Sequence, residues 1–410
     1  MRDTPPPPPP ADVPIEVVDD DPPAPDEAEV LEEVEEAGSS TNASGDQRQP
    51  KRFPCRKCGA ELNFAPGTTT LQCQYCGTEN AIPTSADQVR ELDFRAYLRR
   101  LEADQSDALD TIEIAELKCD ACSAEVVKPE RLDTFACPFC GSNIEATTHS
   151  RRLIKPQALL PFKVTDKQGR KAFRSWIGSL WFAPNKLKAF GRADHGLRGV
   201  YVPHWTYDAA TTTWYTGQRG EHYWVTRTYK DSKGNTRTRR VRKTRWYHAS
   251  GVVGRRFDDV LVVASDSLPR DKAEQLEPWD LPELVDYDAA FVAGFTAEAY
   301  RVDLEQGFER AKQMMEPAIR RDVQNDIGGD EQRILSTKTQ HDGVSFKHLL
   351  LPIWISSYRW KDKVYRFLIN GRTGEVQGER PWSWWKITLG VLGGLVVAGL
   401  VAWLVTLSQG

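Results

Sequence analysis

The sequence predicts a multidomain chain: two small β zinc ribbons, each with four cysteine ligands, an α+β domain with an antiparallel sheet, one C-terminal transmembrane helix and a disordered acidic N-terminal tail. Three observations carry this. Eight cysteines fall into two quartets of identical spacing, 64 residues apart. Residues 150–380 alternate β-branched and aromatic stretches with two helical ones. Residues 387–407 hold no charge at all. The expected boundaries are 1–50 for the tail, 51–82 for the first ribbon and 83–116 for a helical linker. The second ribbon follows at 117–147, the α+β domain at 150–380 and the membrane span at 387–407.

The tail comes first. Residues 1–50 hold 14 Asp and Glu against only Arg2 and Arg48, a net −12, so the other 360 residues carry +8 of the total −4. Six prolines run from Pro5 to Pro10, which favours a stiff polyproline II stretch. Little apolar content remains to offset ordering entropy, so disorder is expected. The tail solvates the chain or docks on a basic partner. The first residues show no apolar run of the kind a signal peptide needs.

The quartets are Cys55, Cys58, Cys73, Cys76 and Cys119, Cys122, Cys137, Cys140. Each reads Cys-x2-Cys-x14-Cys-x2-Cys. Two residues between cysteines let one tight turn aim both thiolates at one ion, and the 14 between the pairs form a hairpin that brings the second turn opposite. A unit of about 30 residues buries too little core to fold alone, so metal binding supplies folding energy. Four thiolates leave no open coordination position, which points to structural rather than catalytic zinc. Two Zn2+ ions are expected; iron is the rival metal, because Cys137 to Gly141 also suits a rubredoxin-like knuckle. Gly59, Gly77 and Gly141 follow three of the four pairs, where a positive φ is cheap; Ser123 stands at the fourth. Lys51, Arg52, Arg56, Lys57 and Lys118 lie close enough in sequence to offset the negative charge of the thiolate sites.

Between the ribbons, residues 86–103 read as a helix through Val89, Leu92, Phe94, Tyr97, Leu98 and Leu101. In the α+β domain, strands are expected at 159–164, 199–207, 211–216, 222–230, 236–250, 349–360, 364–370 and 375–378, with helices at 170–180 and 303–323. Residues 231–235 turn the fourth and fifth of these strands into a hairpin. Its second strand carries the densest basic patch: Arg237, Arg239, Arg240, Arg242, Lys243 and Arg245. Neighbours on a strand point to opposite faces, so positive charge on both faces suits an exposed hairpin. Such a hairpin engages anionic headgroups or nucleic-acid phosphates, or serves as a solvated edge that resists sheet-to-sheet pairing.

The uncharged run of 21 residues is long enough to cross about 30 Å of hydrocarbon. Trp382, Trp384 and Trp385 precede it as an aromatic belt, with Arg380 and Lys386 on the same side and only Ser408, Gln409 and Gly410 beyond. The positive-inside rule then puts the N-terminal bulk in the cytoplasm, on a single-pass anchor in the cytoplasmic membrane. Gly390 and Gly394, four apart, would let two such helices approach closely as a homo-oligomer.

Other chemistry is not signalled. The dipeptide Gly-Lys never occurs, so no P-loop exists, and neither Gly-x-Ser-x-Gly nor His-Glu-x2-His is found. No enzyme is expected. His204 reads as a packed strand residue, and Asp326-Ile327-Gly328-Gly329-Asp330 as a helix C-cap followed by a turn.

The order of these parts resembles a known family. The double ribbon is followed by Gly199-Val200-Tyr201-Val202-Pro203-His204-Trp205-Thr206-Tyr207-Asp208, then by Asp326 to Asp330. Leu351-Pro352-Ile353-Trp354 and Asn370-Gly371-Arg372-Thr373-Gly374 come next, and then the span. This is similar to bacterial double-zinc-ribbon, single-pass membrane proteins labelled transcription-factor-IIB-type zinc ribbon or primosomal-protein-N′-like. The resemblance covers residues 51–407. It implies a membrane scaffold or adaptor that recruits protein partners in envelope stress, with SPFH (flotillin-like) and phage-shock-type proteins as the partner class. The helicase-flavoured label reflects the ribbons only, since the motor motifs are missing. The acidic tail lies outside the pattern, and the Arg-rich hairpin is longer than usual. The alternative expectation is a membrane-tethered nucleic-acid-binding protein.

Overall fold

The computed structural model describes residues 53–82, 89–103, 110–127, 134–145, 148–181, 184, 196–230, 234–360, 363–380 and 383–408. The expected disordered tail, residues 1–50, lies outside them. In chain order, the first ribbon pairs β1 (Thr70–Gln72) with β2 (Glu79–Ala81), and β3 (Leu92–Asp93) leads into the helix Phe94–Glu102. The second ribbon uses β4 (Thr111–Lys118), β5 (Glu125–Val127), β6 (Thr134–Ala136), β7 (Asn143–Glu145) and β8 (Thr148–Ile154). Then come β9 (Ala158–Leu159) and the helix Asp166–Ser179. Two very long strands follow, β10 (Arg198–Lys230) and β11 (Thr236–Val263). After β12 (Val285–Asp286), β13 (Thr296–Ala297) and the long helix Leu304–Ile327, the chain completes the sheet. The last strands are β14 (Glu331–Trp360), β15 (Lys363–Asn370) and β16 (Val376–Gly378), and the helix Trp384–Ser408 ends the described chain.

The main sheet is antiparallel along β11-β10-β14-β15-β16, with β3, β9, β12 and β13 added at its margins. Three of the expected strands, 199–207, 211–216 and 222–230, are one strand of 33 residues. The polar and glycine-containing segments between them become register shifts rather than breaks. The ladder slips at Tyr207/Ala209 against β11, and at Asp208/Ala210 and Thr216/Gly217 against β14. A β-bulge absorbs an odd residue and bends the strand without ending it. At the first bulge the Asp259 backbone N–H donates to Asp208 Oδ1 at 2.5 Å, while Asp259 itself sits at φ 50°. Likewise, the strands expected at 236–250 and 349–360 extend to Thr236–Val263 and Glu331–Trp360.

Burial along β10 changes in three zones. Val200 to Tyr207 are buried without alternation, so both faces are covered there. Ala209, Thr211, Thr213 and Tyr215 are buried while Ala210, Trp214 and Thr216 are exposed, so one face is covered. From Trp224 to Lys230 almost every residue is exposed. The long helix covers the middle zone. Its buried residues Leu304, Gly307, Ala311, Met315, Ile319, Val323 and Ile327 step by three or four, one stripe of a 3.6-residue helix. The start of this helix is clamped: Trp205 Nε1 donates to Val302 O at 2.9 Å and Tyr207 Oη to Leu304 O at 2.7 Å. A Cβ at Gly307 would lie 2.3 Å from Tyr207 Oη, so only glycine allows this approach. At the other end Gly328 caps the helix at φ 63°, and Asp326 Oδ2 accepts from Tyr215 Oη at 2.5 Å. The Asp326 to Asp330 segment is a C-cap and turn.

The segment expected as a helical linker differs. Its helix begins at Phe94, because the Asp93 side chain accepts from Ala96 N and caps it while Leu92–Asp93 joins the edge of β14. Residues 111–116 are strand, paired with β8. The strand expected at 159–164 is hydrogen-bonded as strand only at Ala158–Leu159; beyond it Lys163 N donates to Gly371 O.

Both ribbons pack onto the sheet. Leu62, Phe64 and Leu71 share a core with Leu159, Phe162 and Phe291. Leu117, Val126 and Phe139 share another with Val200, Val202, Ile353 and Leu368.

Two histidines lie deep in this body. His204 bonds the Val202 carbonyl at 2.9 Å, and His348 bonds that of Ile154 at 2.9 Å. Burial pushes both imidazoles down to about 4, because the charged form loses its hydration. Unfolded histidine titrates near 6.5, so between these values the unfolded chain binds more protons and stability falls as pH falls. The stability of His204→Phe, measured by denaturant unfolding from pH 7 down to 4, should therefore decline less steeply than wild type. Parallel curves for the two proteins would contradict the buried neutral assignment.

Candidate metal centres

All four Cys-x2-Cys knuckles fold alike. The residue four after the first cysteine of each pair donates its N–H back to that cysteine's carbonyl: Gly59 to Cys55 (2.9 Å), Gly77 to Cys73 (2.9 Å), Ser123 to Cys119 (2.7 Å) and Gly141 to Cys137 (2.9 Å). The same four residues have positive φ: 73°, 69°, 58° and 80°. Ser123 adopts the left-handed conformation that glycine takes in the other three copies, at a modest strain cost. The geometry thus outweighs the residue preference at this position.

Each turn aims two sulfurs inward. Within each quartet the ligand atoms lie within 4.8 Å of one another. The short sulfur pairs are Cys55–Cys76 at 3.5 Å, Cys58–Cys73 at 3.6 Å, Cys119–Cys140 at 3.6 Å and Cys122–Cys137 at 3.7 Å. A disulfide needs about 2.05 Å. A tetrahedron of thiolates at about 2.3 Å from a central zinc has edges of about 3.8 Å. The quartets therefore fit a tetrahedral ion and are not oxidised pairs. Backbone N–H groups of Lys57 and Cys58 lower the Cys55 thiol, and Cys76 is held down to about 6, first by the Thr78 hydroxyl at 3.2 Å. Such donors suit thiolates. In the second ribbon burial pushes the Cys119 thiol up, while Cys122 is held down to about 5, first by its hydrogen bond with Cys137.

The body also reaches into the second ribbon. The Arg198 guanidinium donates to Ala136 O at 2.8 Å and to Cys137 O, and Arg301 donates to Ser123 O at 2.7 Å. Arg301 and Arg151 also face Glu125 at 3.6 and 3.8 Å. Sequence reading missed both Arg198 and Arg301, because nothing local distinguishes an arginine that bonds a carbonyl many tens of residues away. Arg56, Lys57 and Lys118 are exposed around the quartets, while Lys51 and Arg52 lie outside the described residues.

The two copies differ in setting. Tyr75, at the tip of the second knuckle of ribbon 1, is 83% exposed; Phe139, its counterpart 64 residues later, is fully buried. Ribbon 2 turns its second knuckle into the sheet, and ribbon 1 turns it to solvent.

Two further motifs are structural. Asn370 is buried, donates to Leu276 O at 2.8 Å and accepts from Arg372 N at 2.8 Å. The nearly buried Arg372 side chain pairs with Asp280 at 2.7 Å, bonds Pro161 O at 2.9 Å and also contacts Glu283. The six basic residues Arg237, Arg239, Arg240, Arg242, Lys243 and Arg245 are all exposed, far in sequence and in the sheet from either quartet.

One helix among the described residues, Trp384–Val405, is long and apolar enough to cross a membrane, and its apolar window is not buried anywhere against the body. Gly393, Gly394 and Gly399 face open space. Trp382 of the expected aromatic belt lies outside the described residues.

Because Cys137 belongs to the sheet-packed knuckle, its loss should propagate further than that of Cys73. Each substitution to Ser should remove one of two metal ions per chain by elemental analysis. Cys137→Ser should also lower the melting midpoint by about 5 °C or more beyond the drop for Cys73→Ser. Equal midpoints would show that the two knuckles contribute alike.

No family model matches the chain, and no solved structure matches it. A Bacillus subtilis (strain 168) protein described as uncharacterized protein YdjG is 25% identical over 350 residues, covering 84% of this chain and 95% of its own length.

Proposed function

We propose that the chain is a membrane-anchored adaptor, held together by two structural zinc ions, that recruits protein partners at the cytoplasmic face of a bilayer. The observation that carries the recruiting role is the unequal fate of the duplicated ribbon. One copy is built into the core; the other displays Tyr75 in solvent beside exposed Arg56 and Lys57. Tyr and Arg are the residue types that most often anchor protein interfaces, and an exposed aromatic on a rigid metal-locked turn costs little entropy to bind. Zinc is the favoured ion because every ligand is sulfur and the thiolate cage is closed.

The anchor supports the membrane assignment. An exposed apolar helix of this length has no stable place in water. The exposed Trp181, Trp384 and Trp385 gather where it leaves the body, and Lys386 Nζ donates to Trp181 O at 3.2 Å. Aromatic rings with nearby lysine suit the headgroup layer, and Arg380 and Lys386 on the body side favour a cytoplasmic body. SPFH-like or phage-shock-type proteins are the partner class that the family resemblance suggests.

A photo-crosslinking residue at position 75 of the full-length protein, irradiated in native membranes, should give a discrete protein adduct. The same residue at position 247, also exposed, should not. An identical adduct pattern at both positions would sink the recruiting role for ribbon 1. Protease added to intact spheroplasts should leave both ribbons protected, whereas their digestion would reverse the topology.

A further inference from the structure

We infer that the outer part of the β10–β11 hairpin is a binding arm for double-stranded nucleic acid, gripping phosphates without reading sequence. Pairing between β10 and β14 ends at Gly220 with Glu331. Beyond that point residues 221–230 pair only with 236–245, from Glu221 with Arg245 to Lys230 with Thr236. Ten residues at about 3.4 Å each make an arm of about 34 Å, close to one helical repeat of B-form DNA. A two-stranded β-ribbon is also an element that the major groove admits.

Past its first residue, Glu221, which pairs with Arg219 at 3.0 Å, the charge on the paired strands of the arm is of one sign; the residues between the strands add Asp231 and Lys233. Cross-strand pairing puts Arg227, Arg237, Arg239, Lys243 and Arg245 on one face with Tyr223 and Tyr229; Lys230, Arg240 and Arg242 share the other with Trp224. No acidic residue occurs in 222–230 or 234–245. Arg239 lies over the Tyr229 ring at 5.7 Å and Arg245 over Tyr223 at 5.0 Å, which holds these cations against the arm rather than leaving them loose. The acids gather at the root. Glu331 bonds His222 Nε2 at 2.7 Å and Thr244 Oγ1 at 3.0 Å, Asp330 accepts from His222 N at 2.6 Å, and Arg333 stacks on Trp246 at 3.8 Å. The arm is thus fastened where it leaves the sheet and cationic beyond.

A protective edge needs a few lysines on a strand that has ended. It does not explain a hairpin that extends past its third strand, buries little, and orders about twenty residues to hold eight cations in a row. Cations on both faces fit a groove that encloses the ribbon better than a flat protein surface that covers one face. The bilayer is disfavoured by position. The anchor helix follows β16, which lies through β15 and β14 beside the Arg198 end of β10, and the arm tip is the other end of that strand. Thirty-odd strand residues place roughly 100 Å of contour between them. This inference requires the cytoplasmic body proposed above for its biological setting, but the binding itself does not depend on recruitment through Tyr75.

The test uses full-length, zinc-loaded protein in nanodiscs of zwitterionic lipid and a fluorescent duplex of random sequence, about 30 base pairs long. Anisotropy should report micromolar binding at about 50 mM salt. With four to six phosphates engaged, log affinity should fall with log salt at a slope of about −4 to −5, roughly 100-fold or more between about 50 and 200 mM. The triple variant R239S/R240S/K243S should bind at least tenfold more weakly at the lower salt with a slope reduced by roughly 2 to 3, while its metal content and melting midpoint match wild type. No binding at the lower salt, or a variant that binds like wild type, overturns the inference. So does displacement of the duplex by phosphatidylglycerol vesicles at a charge-equivalent dose, which would make the arm a lipid-surface element. Loss of the crosslink at position 75 with duplex binding intact would remove the adaptor role alone.

Discussion

The double ladder of β10, with β11 on one side and β14 on the other, is the constraint on which the rest of the body depends. Twenty-three residues of β10, Arg198 to Gly220, lie between these partners or at the margin where β13 replaces β11. Its buried base receives the ribbons, its middle receives the long helix, and its end becomes the arm. Each neighbour is specified by what that stretch of strand leaves uncovered. Val200 and Val202 meet ribbon 2, Tyr201 meets Phe162 and Phe291, and Trp205 and Tyr207 receive the start of the long helix. A one-residue slip would send each of these side chains to the wrong face, so the two bulges, which change the register at Asp208 and Gly217, are part of the specification.

Much of the candidate site was legible. Eight cysteines at a fixed spacing and repeat declare two quartets, because sulfur geometry constrains short-range sequence. The apolar run 387–407 was equally plain, since length and absence of charge suffice. The length of β14 was not. Glu331 to Gly343 shows no clean alternation, being Glu, Gln, Arg, Ser, Thr, Lys and Asp in large part, and is mostly exposed. It is a strand because β10 offers backbone partners, a tertiary effect that side chains do not announce. Bulges hid the continuity of β10 for the same reason: Asp208 and Gly217 look like breaks when the ladder is not known. The opposed settings of Tyr75 and Phe139 were invisible as well. Both are aromatic at matching positions of a repeat, and only the packing partner separates them.

The divergence of the ribbons also clarifies how a small unit built around four cysteines joins a larger fold. Ribbon 2 is threaded into the body by β4 and β8, which pair with each other on either side of its quartet, and by Arg198 and Arg301 bonding its carbonyls. Its thiols then sit in an apolar core, where burying them as unpaired charges would be costly. Ribbon 1 meets the body through Leu62, Phe64 and Leu71 and keeps its knuckle tips wet.

The Asn370 to Gly374 turn, buried at Asn370 and Gly371, has a mechanical consequence. Any tension on the helix Trp384–Ser408 enters the body through β16, at Gly378 and Glu379. From there it passes to β15, where Glu379 N bonds Arg366 O at 2.9 Å and Val376 to Gly378 pair with Ile369 to Phe367. A pull along β16 loads these bonds in shear, so they must yield together rather than unzip one at a time. Behind them, Arg372 bolts the turn to Asp280 and to Pro161 O, and Asn370 ties it to Leu276 O. The attachment between the terminal helix and the sheet is thus a joint suited to tension, which under the membrane anchoring proposed above would pass lateral force on the helix into the long strands.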